Sequence, residues 1–180
     1  MREAGDNELV RASLDGDRRA FAELLRRYER PVYNVALRML RSPDEAQDVA
    51  QTTFLKAFEN LASYDPSHKF YSWIYRIAIN ESINAMRRAG RESDPLDEHF
   101  VSSGPGPDEI VAAQQTDDGI QAAIGALTPE YRAVIVLKYF VECSYQDIGQ
   151  ILGLEEKTVK SRLFTARQRL KDLLGQPEGD

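Results

Sequence analysis

The sequence predicts an all-α fold with two small helical domains joined by a flexible acidic linker, and three observations support this prediction. Apolar residues recur at helical spacing over most of residues 17–89 and again after about residue 108. No stretch alternates apolar and polar residues as a strand does, and no internal repeat is evident. The segment between is polar and contains several Pro and Gly residues, which is typical of a linker. We therefore place the domains at residues 1–92 and 116–175, with the linker at residues 93–115.

The N-terminal domain is expected to contain three helices. The first covers residues 17–41, and Pro31 within it is expected to kink or divide the helix because proline lacks the backbone N–H. The second follows Ser42, where Ser-Pro-Asp-Glu has the order of a capping box, and extends to about residue 61. After an Asp-Pro break, the third helix covers residues 69–89.

The third helix combines aromatic, amide and arginine side chains in the sequence FYSWIYRIAINESINAMRR. Phe70 and Trp73 are assigned mainly to packing, because aromatic residues at helical spacing more often form a core than a binding surface. Asn80 and Asn84 lie one turn apart on the polar side, and asparagine weakens a helix interior unless it makes compensating contacts. An Arg-rich helix end beside exposed Asn and Tyr suits contacts with nucleic-acid phosphates and bases.

The most informative segment is SYQDIGQILGLEEKTVKSRLFTARQRLK at residues 144–171, in which a short helix, a glycine turn and a basic second helix follow one another. Gly153 permits the positive φ of a tight turn. The apolar residues of the second helix share one face, and six Lys or Arg but no carboxylate lie between residues 157 and 171. This pattern predicts a helix-turn-helix that places its second helix in the DNA major groove, and it favours that structure over an amphipathic hairpin with a solvated basic face. The outward residues are Thr158, Lys160, Ser161, Phe164, Thr165 and Arg167.

Composition narrows the possible functions. The net charge is −6, but residues 93–130 carry eight acids and no base, whereas residues 1–92 and 131–180 each have a net charge of +1. Both flanking parts can therefore present a basic face to phosphate. The single Cys143 cannot form an internal disulfide or a thiolate metal site, and the two histidines suggest no metal centre, so no cofactor is expected. No apolar run could span a bilayer and the N-terminus lacks a secretory signal, so we expect a cytoplasmic protein without membrane insertion.

Several long motifs, in the correct order, resemble those of bacterial extracytoplasmic-function (ECF) sigma factors of the sigma-70 family. The first domain resembles the family's region 2 through AFAELLRRYERPVYNVALRML, DEAQDVAQTTFLKAF and FYSWIYRIAINESINAMRR. The second resembles region 4 through LTPEYRAVIVLKYFVECSYQDIGQILGLEEKTVKSRLFTARQRLKDLL. The resemblance covers nearly the whole chain apart from the linker and the last few residues. It implies a non-catalytic subunit that binds core RNA polymerase and directs promoter-specific initiation by recognising −35 and −10 elements and helping to melt the −10 region.

The resemblance also implies roles for matching residues. The expected contacts with core polymerase are Asp44, Asp48 and Gln51. The loop at residues 62–69 and the start of the following helix would capture an extruded −10 base, and the acidic linker would thread the polymerase cleft. The −10 candidates are Asn80 first, then Tyr75, Arg76, Asn84, Arg87 and Arg88. The −35 candidates are Lys160, Ser161 and Phe164, with Thr158 and Arg167 nearer the phosphates; Lys suits guanine acceptors and Phe a thymine methyl.

The sequence departs from the family pattern at a few positions. Residues 46–48 read Ala-Gln-Asp where many members have Ala-Glu-Asp, so the contact with polymerase loses one charge. Thr52 and Thr53 lie nearby, and their phosphorylation would restore negative charge, although two exposed helix threonines usually carry no function. The family's usual Pro-x-Gly-Thr is replaced at residues 155–158 by Glu-Glu-Lys-Thr, and a frequent Arg is Thr165. The promoter sequence therefore cannot be copied from a relative.

The main alternative is a stand-alone helix-turn-helix transcriptional regulator. Such a protein would need a sensing or receiver domain, yet the N-terminal half shows no strand pattern and no ligand-pocket signature. An enzyme is less favoured still, because the sequence has no Gly-rich phosphate loop, nucleophile motif or metal cluster. The expected partners are bacterial core RNA polymerase, promoter DNA and, from the family resemblance, an anti-sigma factor.

Overall fold

The computed structural model describes residues 3–90 and 117–175, and every regular element within these ranges is helical, so the all-α prediction is confirmed. The helices are α1 (Asp6–Leu14), α2 (Arg18–Leu40), α3 (Pro43–Glu59), α4 (Phe70–Arg88), α5 (Asp117–Ala126), α6 (Pro129–Ile135), α7 (Tyr145–Leu152) and α8 (Glu156–Leu174). A 3₁₀ turn, Leu61–Ser63, follows α3, and a π-helical turn, Val136–Phe140, continues α6. The predicted linker and the helix restart near residue 108 lie outside the described residues.

Helix α2 is the central element of the first domain. It begins at the cap residue Asp17, whose carboxylate accepts a hydrogen bond from the Arg19 backbone N–H at 2.9 Å. The helix passes through Pro31 without ending, so of the two outcomes expected there, a kink or a division, division is wrong. Leu24 and Val32, on either side of the proline, are fully buried against the rest of the domain, and this packing offsets the hydrogen bond that proline cannot make.

Helix α3 begins where the sequence predicts and exposes more apolar surface than expected. The Ser42 hydroxyl accepts a hydrogen bond from the Glu45 backbone N–H at 3.3 Å, which confirms the predicted cap. The helix ends at Glu59, close to the predicted residue 61. Leu55 and Phe58 are each 59% exposed, because the face that packs on α2 and α4 is narrower than the apolar stripe of the sequence.

The N-terminal helix α1 was not predicted, and polar contacts fix it to the first domain. Asp6 accepts hydrogen bonds from the guanidinium of Arg27 at 2.9 Å and from the hydroxyl of Tyr28. Burial first, and then the Asp6 carboxylate, raise the pKa of Tyr28 above its usual value. The charge pair compensates for the small apolar face of the helix, in which only Leu9 and Val10 are buried.

The second domain contains the predicted helix-turn-helix in α7 and α8. The Ser144 hydroxyl caps α7 by accepting from the Asp147 backbone N–H at 3.1 Å, and Gly153 ends the helix at φ +67°. A Cβ at Gly149 would lie 2.6 Å from the Leu154 carbonyl oxygen, so the tight turn also requires glycine at this position. Helix α8 buries Val159, Leu163 and Ala166 on one face, as the apolar spacing predicts.

The two domains share a buried interface, which we call the interdomain seam, where α2 and α4 meet α6, the π-helical turn and α7. At its centre the buried Arg132 donates hydrogen bonds to the carbonyls of Met39 in the first domain and of Gly125 and Leu127 in the second. One continuous apolar core includes residues from both domains. The sequence predicted two separately packed domains, and this detail is wrong. Residues far apart in the chain, one from each domain, are buried against each other at the seam.

Candidate nucleic-acid interface

The outer face of α8 is open to solvent at the positions expected to read bases. Lys160 and Ser161 are exposed, and the Phe164 ring is 63% exposed. A large aromatic ring left in water by a folded domain suits contact with a thymine methyl group or another apolar partner. The side chains that project beside this ring can reach base edges in a major groove.

The two α8 residues expected near phosphates are half-buried, and Arg167 is fixed in place. Its Nε–H donates to the hydroxyl of Tyr139 on the π-helical turn. Hydrogen bonds to Tyr139 and then to Tyr145 raise the pKa of the guanidinium above its usual value. Thr158, in the first turn of α8, is also half-buried. All five −35 candidates therefore lie on α8, with three of them exposed and the other two, Thr158 and Arg167, half-buried at opposite edges of the exposed face.

Two tyrosines beside α8 hold a group of cations that the sequence did not indicate. The Lys138 ammonium lies 4.7 Å from the centre of the Tyr145 ring, and the Lys160 ammonium lies 5.7 Å from it. The Arg167 guanidinium lies 5.6 Å from the centre of the Tyr139 ring. The sequence did not indicate these tyrosine–cation contacts because the π-helical turn changes which side chains face α8. A regular period of 3.6 residues does not describe that change.

The −10 candidates on α4 are in two different environments. Arg76, Asn80, Arg87 and Arg88 are exposed and Asn84 is half-buried. Tyr75 is only 7% exposed and lies at the interdomain seam, so its expected exposure is wrong. Burial first, and then nearby Cys143 and Tyr71, raise the pKa of Tyr75 to about 12. The neutral phenol is thus a packing group in this arrangement of the domains.

A cavity of about 300 Å³ opens beside Asn80 between α3 and α4. The ammonium of Lys56 and the buried carboxylate of Glu81 form an ion pair at its wall. Aromatic and amide groups complete the lining, which is well suited to a flat base with polar edges. The lining residues are Lys56, Asn60, Ser63, Trp73, Arg76, Ile77, Asn80 and Glu81.

A carboxylate of the helix-turn-helix joins the α4 side of the interdomain seam. Asp147, which is 8% exposed, accepts from the Tyr71 hydroxyl at 2.6 Å and lies 3.5 Å from the Lys69 ammonium. Burial opposes ionisation of Asp147, but hydrogen bonds from Tyr71 and Ser144 and the charge of Lys69 hold the pKa of its carboxyl below the usual value. This contact ties the start of α4 to α7.

A small cavity lies behind this contact. It has a volume of about 330 Å³, and its lining includes three tyrosines and the buried thiol of Cys143. Burial first, and then the charge of Asp147, raise the pKa of the Cys143 thiol to about 11. A thiol with so high a pKa is a poor nucleophile at neutral pH.

The residues expected to contact polymerase lie on the exposed side of α3. Asp44, Asp48 and Gln51 are all exposed. Thr53, in contrast, is fully buried and donates to the Val49 carbonyl at 2.7 Å, so the expectation of an accessible hydroxyl there is wrong. Thr53 can occupy a core position because its hydroxyl forms a hydrogen bond within its own helix. Thr52 is half-buried.

The described ranges contain no group of three or more His, Cys, Asp or Glu side chains that could hold a metal ion. In the same ranges, no helix is both long and apolar enough to cross a membrane.

Comparison with known proteins identifies the class of the two domains. The model of sigma-70 region 2 matches residues 24–92, and the model of sigma-70 region 4 matches residues 117–170. The chain is 36% identical to the ECF RNA polymerase sigma factor SigW of Bacillus subtilis, over 88% of this chain and 91% of the relative. It is 31% identical to the ECF RNA polymerase sigma-E factor of Salmonella typhimurium, over 92% of each chain.

Solved structures agree with this class. The structure of CnrH in complex with the cytosolic domain of CnrY superposes with a TM-score of 0.70 at 28% identity, covering 94% of this chain and 96% of the other. The sigma factor RpoE of Bartonella quintana, in complex with the anti-sigma factor NepR, gives a TM-score of 0.65 at 30% identity over 86% and 96% of the two chains.

The fold and the two family-model matches therefore define a sigma-70-type protein with regions 2 and 4. More specifically, the chain belongs to the ECF sigma factors, a family of non-enzymatic transcription initiation factors. It is a promoter-specific initiation factor, and the alternative of a stand-alone regulator is not favoured.

Proposed function

We propose that this sigma factor binds bacterial core RNA polymerase, recognises −35 and −10 elements through separate domains, and helps to melt the −10 region. The observation that supports this most is that one chain carries two candidate DNA surfaces, the exposed face of α8 and the cavity-bearing face of α4. A repressor would need only the first. We assign region 2 to residues 1–92, the linker to residues 93–115 and region 4 to residues 116–175.

The −35 element is read from the exposed face of α8. Lys160, Ser161 and Phe164 contact base edges in the major groove, while Thr158 and Arg167 contact the backbone beside them. The exposure of Phe164 supports this assignment, because an apolar partner such as a thymine methyl would remove the ring from water and so contribute free energy to binding.

The −10 element is read by α4 after the strands separate. An extruded base enters the cavity beside Asn80, whose amide can hydrogen-bond to its edge, and Arg76, Arg87 and Arg88 follow the backbone. Asn84 has the same role one turn along the helix. Tyr75 contributes only once the domains move apart. The cost of unstacking one base, a few kcal/mol, is offset by stacking and hydrogen bonds in a preformed cavity.

The α3 surface around Asp44, Asp48 and Gln51 binds core polymerase. Exposed Leu55 and Phe58 on the same helix supply apolar area beside the polar contacts, as interfaces commonly require. Thr52 is the remaining threonine at which a phosphate would add negative charge to this surface. Intact-mass measurement of protein purified from its native host would detect the added phosphate.

The remaining proposals concern the regulation of the protein, its location in the cell and its lack of catalytic activity. We propose an anti-sigma factor as the controlling partner, a cytoplasmic location and no catalysis by the chain itself. Two solved relatives were each determined with a second protein bound, and NepR, the partner of RpoE, is an anti-sigma factor. Co-purification with a candidate partner that blocks binding to core polymerase would test the first proposal.

Run-off transcription with purified core polymerase and a genomic promoter library tests the main proposal. We expect initiation from a defined promoter set only when the protein is present. Asn80→Ala should lose strand opening while retaining recruitment to the −35 element, and Phe164→Ala should lose recruitment but still use a template that is already melted at −10. Binding to duplex DNA alone, without binding to core polymerase, would instead support a stand-alone regulator.

A further inference from the structure

We infer that Tyr139 is a positioning residue for promoter binding, because its hydroxyl orients the Arg167 guanidinium toward a DNA phosphate. This inference rests on the proposed role of α8 at the −35 element. Neither the apolar spacing of α8 nor the family motifs assign a function to Tyr139. The residue lies on the π-helical turn, outside the helix-turn-helix itself.

The contact with Tyr139 uses only the Nε–H of Arg167, and the further hydrogen bond to the Tyr145 hydroxyl still leaves terminal N–H groups over for another partner. The Nε–H of Arg167 donates to the Tyr139 hydroxyl oxygen, while the two terminal nitrogens take no part in that bond. A planar guanidinium held through Nε can still present those terminal N–H groups to phosphate oxygens. The tyrosine hydroxyl accepts this bond and retains its own O–H, which can donate to the same phosphate.

The charge of Arg167 is also preserved. The ammonium groups of Lys157 and Lys160 lie 3.2 and 3.5 Å from the carboxylates of Glu155 and Glu156, so part of their charge is neutralised locally. Arg167 is held instead by the hydroxyl groups of Tyr139 and Tyr145, and neither residue is a carboxylate that would offset its charge. A fixed and uncompensated cation beside a reading helix is suited to phosphate contact.

The π-helical turn explains why Tyr139 can reach α8. The Val141 backbone N–H bonds to the Val136 carbonyl, five residues back, at 3.2 Å. This wider turn leaves two adjacent aromatic residues exposed, Tyr139 at 49% and Phe140 at 38%. The Phe140 ring is covered by the Arg38 guanidinium of the first domain at 3.7 Å, while Tyr139 faces Arg167. π-helical turns of this kind frequently occur at functional sites.

A purely structural role would join the π-helical turn to α8 without affecting DNA. The two roles differ in their dependence on salt, because each phosphate contact releases counterions and changes the salt slope of binding by about 0.9. The chain offers a matched control in Tyr131, whose ring lies 4.7 Å beneath the guanidinium of Arg169, also on α8. Removing the Tyr131 hydroxyl leaves that ring contact intact.

The test uses holoenzyme reconstituted from core polymerase and the full chain, on a promoter selected from a genomic library by the wild-type protein. Tyr139→Phe, Tyr131→Phe, Arg167→Ala and the double variant Tyr139→Phe/Arg167→Ala are compared over about 50 to 200 mM salt. Each is assayed on the intact promoter and on a template melted at −10 that lacks all DNA upstream of the −10 element. Circular dichroism checks that each variant is folded.

We expect Tyr139→Phe to weaken binding to the intact promoter about three- to tenfold at low salt, the effect of losing one hydrogen bond to a charged group at a partly exposed site. The salt slope should fall toward that of Arg167→Ala, the double variant should show no further loss, and the truncated template should bind equally well. Tyr131→Phe should match the wild type.

Three results would overturn the inference. Tyr139→Phe could match Tyr131→Phe on the intact promoter, its effect could add fully to that of Arg167→Ala, or it could weaken the truncated template equally. These outcomes are distinct from a failure of the proposed function. In that case the wild-type protein would initiate from no promoter, and there would be no promoter binding for Arg167→Ala to weaken.

Discussion

The two candidate DNA-binding helices differ in how much of their surface the folded chain leaves available. Helix α8 exposes its candidate base-reading residues, with Phe164 at 63%, and packs against the helices of its own domain through the opposite face. Helix α4 exposes Asn80 and several arginines, but its Tyr75 is 7% exposed and its start is tied to α7 through Asp147. The proposed −35 surface is therefore exposed in the folded chain, whereas the proposed −10 surface is partly covered by the other domain.

The distance between the promoter elements shows why this difference matters. From −35 to −10 is about 85 Å of DNA at 3.4 Å per base pair. A 19-residue helix such as α8 is only about 28 Å long, and in this structure α4 packs directly against α7. Domains joined at the interdomain seam cannot occupy both elements of one straight duplex, and we therefore expect the seam to open when the sigma factor engages a promoter.

The largest expected effect is on stability, and it separates a substitution in α4 from the corresponding substitution of an aromatic residue in α8. Tyr75→Ala should lower the free energy of unfolding by about 3–5 kcal/mol, because it removes a buried ring from the interdomain seam. Phe164→Ala should change it by about 0.5 kcal/mol or less, because the ring is largely in water. Urea denaturation followed by circular dichroism measures both values. Equal effects would show that Tyr75 is not buried in solution and that the two helices do not differ.

The next effect concerns the buried arginine of the seam. Arg132→Met should destabilise the protein by about 3 kcal/mol, because it leaves the Met39, Gly125 and Leu127 carbonyls without their charged donor. Arg169→Met is the matched control, since Arg169 is half-buried and rests on one tyrosine ring, and it should cost less than about 1 kcal/mol. Thermal unfolding measures both losses of stability. Equal losses in the two variants would contradict the role of Arg132.

A smaller effect is expected from the carboxylate that joins α4 to α7. Asp147→Ala should cost about 1–3 kcal/mol, since the Tyr71 hydroxyl loses its acceptor at a mostly buried site. The seam should open more often, and an aromatic disulfide reagent should then label Cys143 several-fold faster than in the wild type. Asp118→Ala, on the exposed start of α5, is the control. Unchanged labelling in Asp147→Ala would mean that this contact does not hold the domains together.

The smallest effect is a dependence on pH that arises from the same group. Because the folded-state pKa of Asp147 is lowered, its ionisation contributes stability above the unfolded pKa of about 3.9. That contribution is lost as the pH falls through the lower folded-state value. The difference in unfolding free energy between wild type and Asp147→Asn should therefore shrink below about pH 4, as measured by urea titrations at several pH values. A constant difference would show that the carboxyl is not ionised at the seam.

The sequence predicted those parts of the molecule that depend on neighbouring residues. The Ser42 cap, the Gly153 turn and the buried face of α8 each follow from residues within a few positions of one another. The outward placement of Lys160, Ser161 and Phe164 follows from the same periodicity. Local patterns were sufficient here because helix geometry fixes which side chains share a face.

The features that the sequence missed depend on residues far apart in the chain. Tyr71 and Asp147 are 76 positions apart, and their hydrogen bond leaves no trace in either local pattern. The burial of Tyr75 depends on the second domain in the same way. Thr53 was expected to be exposed because threonine is polar, but its hydroxyl bonds within its own helix and permits a core position. The cavity beside Asn80 also needs side chains from two helices and the turn between them.

The buried seam has a consequence for competition among sigma factors that share a limited supply of polymerase. If a partner binds only the open form, its apparent dissociation constant equals the intrinsic constant divided by the open fraction. Each 1.4 kcal/mol by which the seam favours the closed form then lowers apparent affinity about tenfold. Substitutions at Arg132 or Asp147 would change the open fraction, and with it the apparent affinity, without altering any side chain proposed to contact DNA. The share of polymerase that this protein captures in a cell can thus be set by residues buried between its domains.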